Sequence, residues 1–215
     1  EAGAGYDDVA GLIYRTDEEV CANPPAPLLQ DLDALPYPAR EFLNPSDYCY
    51  VLGKKSTFTT ILTTRGCPYR CIFCSTPHGT CRLRSPKSIV DEMESCLEQG
   101  AEELHFIDDT FNIKPRRIRA VSEEILARGL KARWSFRGRV DTIDADSLRL
   151  ARQAGCERIH YGIETGTDAG LEALRKQITT EQAREALALT RQAGISTVTY
   201  FIIGCPHEQE RGDIL

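Results

Sequence analysis

The sequence predicts an α/β fold in which strands and helices alternate around a parallel sheet, and three observations carry that prediction. From Thr57 onward, glycine recurs where an amphipathic stretch gives way to an apolar one: Gln99-Gly100 before residues 103–107, Arg128-Gly129 before 132–136, Ala154-Gly155 before 157–163, and Ala193-Gly194 before 196–203. Glycine supplies the left-handed cap that stops a helix and turns the chain toward a strand. The stretches before these glycines have helical periodicity, with Ile89, Met93, Cys96 and Leu97 on one face, and Ile118, Val121, Ile125 and Leu126 on another. Between them lie apolar runs such as Leu104 to Ile107 and Val198 to Ile203, suited to parallel strands covered by helices.

In chain order, residues 1–50 differ in texture from the rest. They open acidic, hold a short apolar segment from Val9 to Tyr14, and contain more than half of the prolines. Pro24-Pro25-Ala26-Pro27 and Pro36-Tyr37-Pro38 cannot continue a helix or sit inside a sheet, so this part is expected to run extended over a surface as a linker. Five strands follow, near 57–63, 103–107, 132–136, 157–163 and 197–203. Ser85-Pro86 places a capping hydroxyl before a proline at the first helical position, and Thr179 or Thr180 can cap a helix over 181–193.

The strongest chemical signal is Cys67-Pro68-Tyr69-Arg70-Cys71-Ile72-Phe73-Cys74. Three thiols spaced C-x3-C-x2-C on one short loop can converge on a single metal centre, and thiolates are the preferred ligands of iron-sulfur clusters. A cubane cluster takes four protein ligands when it is closed, so three leave one iron open to a small molecule. A structural zinc site is the rival reading, with Cys81 or His78 as its fourth ligand.

Cys67, Cys71 and Cys74, with Phe73 before the last, resemble the signature of the radical S-adenosylmethionine (SAM) superfamily. The resemblance implies a partial (β/α)6 TIM-like barrel carrying a [4Fe-4S] cluster on those three cysteines. SAM would chelate the fourth iron and be cleaved reductively to a 5'-deoxyadenosyl radical. It further implies that Phe73 packs against the adenine, and that Asp108 or Asp109 binds the SAM amino group. Arg139 would meet the SAM carboxylate, Glu164 the ribose hydroxyls, and Gly204, in Gly204-Cys205-Pro206-His207-Glu208, the adenine. An Asp pair can also cap a following helix, and His207 stands where the branch commonly has glycine.

Gly11-Leu12-Ile13-Tyr14-Arg15 and Asp31-Leu32-Asp33-Ala34-Leu35-Pro36-Tyr37-Pro38 are similar to the connector of the cobalamin-linked branch, and Asp108-Asp109-Thr110-Phe111 is typical of it. By that resemblance residues 1–50 follow an N-terminal cobalamin-binding domain. Residues 51–215 form the radical SAM core, which stops after its fifth strand. The implied reaction is cobalamin-dependent methylation or ring formation on a small-molecule substrate, with an electron donor such as flavodoxin or ferredoxin. A methylthiotransferase is the rival enzyme, but that branch carries a Gly-Gln pair near the position of Asp108-Asp109. A structural zinc-binding interaction module is the rival of another class.

Composition bounds these readings. A formal charge of −6 opposes attraction to nucleic acid. Nine cysteines, an odd number without an export signal, suit a reducing cytoplasm and metal chemistry better than a disulfide framework. No apolar run reaches the roughly 20 residues of a membrane span. Arg82 and Arg84 remain open between an anionic ligand and solvent. His105 and His160, inside strands, are expected to be packed.

Overall fold

Side chains alternate along the strands, and that alternation decides the architecture. The structure, a computed structural model, describes residues 5–53, 57–76, 79–205 and Glu208. The opening segment forms a short antiparallel hairpin of β1 (Ile13–Arg15) and β2 (Val20–Ala22). It then crosses the core through 3-10 turns at Leu32–Ala34, Arg40–Phe42 and Pro45–Asp47. There follow β3 (Phe58–Ile61), β4 (Thr64–Arg65), β5 (Arg82–Leu83), α1 (Pro86–Glu98), β6 (Glu103–Phe106), α2 (Arg117–Ala127) and β7 (Trp134–Gly138). The chain continues through α3 (Ala145–Gln153), β8 (Cys156–Glu164), α4 (Asp168–Ala173), α5 (Thr180–Gln192) and β9 (Ser196–Phe201).

Strands β3, β6, β7, β8 and β9 form one parallel sheet in that order. Helices α1, α2, α3 and α5 cover one face, so the sheet curves as an opened, partial TIM-like barrel. Odd positions of β8, Ile159, Tyr161 and Ile163, join the apolar core under the helices, together with Leu104, Phe106, Trp134 and Phe136. The intervening positions turn Glu103, His105, Ser135, Arg158 and His160 to the lumen, the expected period-two consequence of a strand. Both histidines are buried there, as expected.

The helix boundaries follow their caps. Ser85 accepts from the Ser88 amide with Pro86 in the first turn, and Thr179 with Gln182 forms a capping box on α5. Ile118, Val121 and Ile125 are buried, but Leu126 is 40% exposed, because one further residue along α2 rotates it off the packed face.

β3 ends at Ile61, two residues short of expectation, and two later strands differ more. β7 starts two residues later than 132–136, since the Gly155 backbone abuts the Ala132 carbonyl and a bulge lies between Trp134 and Ser135. The shift brings Arg137 and Gly138 into the strand. The run Val198 to Ile203 is not a covered strand throughout: β9 is an edge of the sheet, and Tyr200, Phe201 and Ile203 are exposed.

The opening segment, expected to be a linker, is tied to the core. Tyr37 donates to the Ser88 carbonyl at 3.1 Å, Asp33 accepts from the Ser85 amide at 2.9 Å, and Arg40 reaches the Thr60 carbonyl at 2.7 Å. Glu92, 1% exposed, pairs with both Arg40 and Arg84. Arg84 is therefore a buried partner of the linker and α1, and Arg82 donates to the Leu29 carbonyl, so both have protein partners. Farther on, Tyr50 enters the lumen and hydrogen-bonds His160 at 2.9 Å.

Candidate metal and cofactor site

The antiparallel pair β4 and β5 sets the base of the cysteine loop, with Thr64 opposite Leu83 and Arg65 opposite Arg82. Gly66 follows at φ 83°, and a Cβ there would lie 2.7 Å from the Thr80 carbonyl, so only glycine lets the returning strand come this close. The loop is then tied down by the Ile72 amide, which donates to the Leu174 carbonyl at the end of α4, and by a turn from Cys74 to Cys71. Cys67, Cys71 and Cys74 are free thiols that line one pocket of about 230 Å³. Burial pushes the Cys71 thiol up, and the nearby charges of Lys176 and Arg139 oppose that shift.

The other walls come from the carboxyl ends of the strands, where a parallel βα sheet gathers its ligands. Asp108 and Asp109 diverge, as neighbours on extended backbone must. Asp108 is fully buried and accepts from the Thr63 and Thr64 amides at 2.6 and 2.8 Å and from the Thr63 hydroxyl, binding the end of β3 to that of β6. Burial raises its carboxyl against those hydrogen bonds. Asp109 is exposed toward the pocket and takes one bond from Thr76 at 3.1 Å. Of the pair, Asp109 is the carboxylate with capacity for a ligand.

Arg139 lines the pocket and already has protein partners. It pairs through two nitrogens with Asp141 at 2.9 and 3.0 Å, donates to the Lys176 and Gln177 carbonyls, and stacks 3.6 Å over the Tyr69 ring. Its Nε and Nη2 donors tie its own loop to the α4–α5 connection, and the stack on Tyr69 adds the cysteine loop. Glu164 is buried at the end of β8 in a left-handed backbone conformation, with Lys176 donating to it at 2.6 Å. Gly162 has no side chain to obstruct that pair; a Cβ there would meet both partners. Phe73 is 41% exposed, and the Lys176 ammonium lies 5.7 Å from its ring centre.

Gly204 has φ 88° and open space where a Cβ would be, so its conformation rather than crowding calls for glycine. It does not line the pocket. Glu208 accepts from the Gly204 and Cys205 amides and closes that turn. His78 and His207 lie outside the described residues.

Residues 61–213 match the family model described as the radical SAM superfamily. The chain belongs to the radical SAM superfamily. It is 32% identical over 210 residues to an uncharacterized methyltransferase of Pyrococcus horikoshii, covering 96% of this chain and 45% of that relative. An anaerobic magnesium-protoporphyrin IX monomethyl ester cyclase of Cereibacter sphaeroides is 32% identical over 208 residues, covering 93% and 34%. Among solved structures, the cobalamin-dependent S-adenosylmethionine radical enzyme OxsB, with aqua-cobalamin and S-adenosylmethionine bound, superposes with a TM-score of 0.83. At 22% identity over 98% of this chain and 32% of that one, the likeness is one of fold. The chain thus spans less than half the length of these relatives.

The donor set fits the radical SAM cluster. Three thiols without disulfide partners share one pocket, the donor type and number that a four-iron cluster with one open iron takes. Two residues at or beside the pocket escape the sequence reading. Lys176 sits in an irregular turn between Arg175 and Gln177, both at positive φ, where neither helical nor strand periodicity exists to point at it. Asn112 joins the loops after β6 and β7 by bonding the Arg139 amide and carbonyl at 2.8 and 2.7 Å. The one available signal was its place just after Asp108-Asp109-Thr110-Phe111.

Proposed function

We propose that the chain is the catalytic core of a radical SAM enzyme in which Cys67, Cys71 and Cys74 hold a [4Fe-4S] cluster and the adjoining pocket holds SAM. The observation that carries this reading is the meeting, in one pocket, of three free thiols with Asp109, Glu164 and Lys176. When bound, the cluster supplies the electron that cleaves SAM. The chain supplies placement and partial exclusion of water.

SAM's amino-acid end is zwitterionic, and the pocket offers a match for each charge: Asp109 for the ammonium and Lys176 for the carboxylate. Glu164, held by Lys176, is placed to accept from ribose hydroxyls, and Phe73 offers the adenine an apolar ring. Asp108 and Arg139 act as positioning residues. Gly204 and the turn closed by Glu208 would approach the base from the end of β9.

The names of the relatives support methylation or ring formation as the reaction and cobalamin as a further cofactor, and the methylthiotransferase reading is weaker. In this proposal a domain preceding residues 1–50 would hold the cobalamin. The substrate is a small molecule, and a low-potential donor such as flavodoxin or ferredoxin feeds the cluster in the cytoplasm. Among the described residues no helix is long and apolar enough to cross a membrane.

Anaerobic reconstitution of the full-length protein with iron and sulfide tests the reading. A cluster signal in electron paramagnetic resonance that shifts on adding SAM, and that is lost in Cys67→Ala, Cys71→Ala or Cys74→Ala, is the expected result. Zinc in a closed tetrahedron, or a cluster spectrum indifferent to SAM, would overturn it.

A further inference from the structure

Three cations line the pocket, Arg137, Arg139 and Lys176, and they are not equivalent. Lys176 is matched by Glu164 at 2.6 Å and Arg139 by Asp141 at 2.9 Å. Arg137 takes part in none of the ion pairs found among the described residues. Its backbone is fixed, since its carbonyl accepts from the Phe111 amide at 2.9 Å, and β7 is the middle strand of the five. Alternation along β7 sends Trp134 and Phe136 to the helices and leaves Arg137 exposed on the pocket side, just before Gly138. An unmatched guanidinium at the carboxyl end of a central strand stands where a βα sheet presents groups to its ligand.

Among the described residues, the surroundings offer it no internal anion. The pocket's carboxylates are Asp108, engaged by Thr63 and Thr64; Glu164, engaged by Lys176; and Asp109, bonded by Thr76. Glu103, deeper in the lumen, pairs with Arg158. The neighbouring imidazoles are uncharged at neutral pH, because burial and the charges of Arg158 and Arg137 hold His160 at about 4, and burial does the same for His105. His160 is fixed by the Tyr50 and Tyr200 hydroxyls at 2.9 and 2.8 Å, and Tyr200 itself borders the pocket.

We propose that Arg137 is a specificity-determining residue that binds an oxyanion, a carboxylate or a phosphate, on the substrate. The proposal rests on the radical SAM reading, in which Lys176 takes the single carboxylate of SAM and leaves Arg137 to the second ligand. A guanidinium binds either oxyanion through two parallel N–H donors, which fixes orientation as well as affinity.

The test uses the full-length, anaerobically reconstituted protein as wild type, Arg137→Gln and Arg137→Lys. Calorimetry with inorganic phosphate and, separately, acetate is run on the SAM-loaded protein, and SAM affinity is read from titration of the cluster signal. Saturable binding of one probe is expected, weakened about tenfold or more in Arg137→Gln and less in Arg137→Lys. The favoured probe tells phosphate from carboxylate. SAM affinity should stay within about threefold of wild type in both variants. A tenfold loss of SAM affinity in Arg137→Gln would assign the residue to SAM and sink the proposal, as would anion binding that is absent in wild type or unchanged by the substitution. If SAM leaves the wild-type cluster signal unmoved, the radical SAM reading fails on that arm alone, and the proposal that depends on it falls with it.

Discussion

The two faces of the five-stranded sheet are made from the same strands and do opposite things. Toward the helices, Phe106, Phe111, Trp134 and Phe136 pack ring against ring at centroid distances of 4.8 to 6.1 Å, all fully buried. Toward the lumen, one residue away at each step, stand His105, Ser135, Arg158 and His160, held by hydrogen bonds and an ion pair, with Arg137 beside them at the pocket. The first face is filled by shape and the second by partners. A period of two therefore lets a strand of five residues contribute to stability and to chemistry without either limiting the other.

The largest expected effect comes from breaking the first face. Trp134→Ala removes a fully buried indole whose Nε1 donates to the Ala154 carbonyl at 3.0 Å, and should cost about 3–5 kcal/mol in urea denaturation. Arg137→Gln, three positions along the same strand but exposed, should stay within about 0.5 kcal/mol. Equal losses would mean that the lumen is packed like the core and that the contrast is false.

Legibility in the sequence divided along the same line. The helix face was readable because apolar spacing and terminal glycines are local signals, and the cysteine loop was readable because all three ligands lie within eight residues. The lumen was not. Asp108 and Asp109 look alike in sequence, and only the proximity of the Thr63 and Thr64 amides, 45 and 44 residues away, commits one of them inward. Nor does the sequence show that Asp141, Tyr69 and two carbonyls from the α4–α5 connection are brought to Arg139. Lys176 was invisible because its partner Glu164 meets it only through two left-handed turns that no residue type announces.

An intermediate effect should come from protonating the lumen. His105 and His160 are each held at about 4, against 6.5 ordinarily, chiefly by burial. Between those values the unfolded chain binds protons that the folded chain does not, so stability is fully present above about pH 6.5 and declines as pH falls toward 4. The loss should reach up to about 3 kcal/mol per ring. Urea midpoints across that range should fall more steeply for wild type than for His160→Gln, whereas Trp134→Phe should retain the wild-type slope. A His160→Gln slope equal to wild type would assign acid sensitivity to carboxylates elsewhere.

The smallest effect asks what holds the linker in the lumen. Tyr50 contributes two separable things: a hydroxyl bonded to His160, and a ring that stacks on His105 at 5.4 Å and lies 5.5 Å from Phe58. Tyr50→Phe deletes the first and keeps the second. Because Tyr50 is only half-buried, water can replace the lost hydroxyl, and the cost should be about 1 kcal/mol or less. Tyr50→Ala deletes both and should cost about 2 kcal/mol more, since the space between the two histidine rings and Phe58 is then left unfilled. If the two variants lose the same amount, the hydrogen bond rather than the ring anchors this end of the linker, and the lumen is then held together by partners alone.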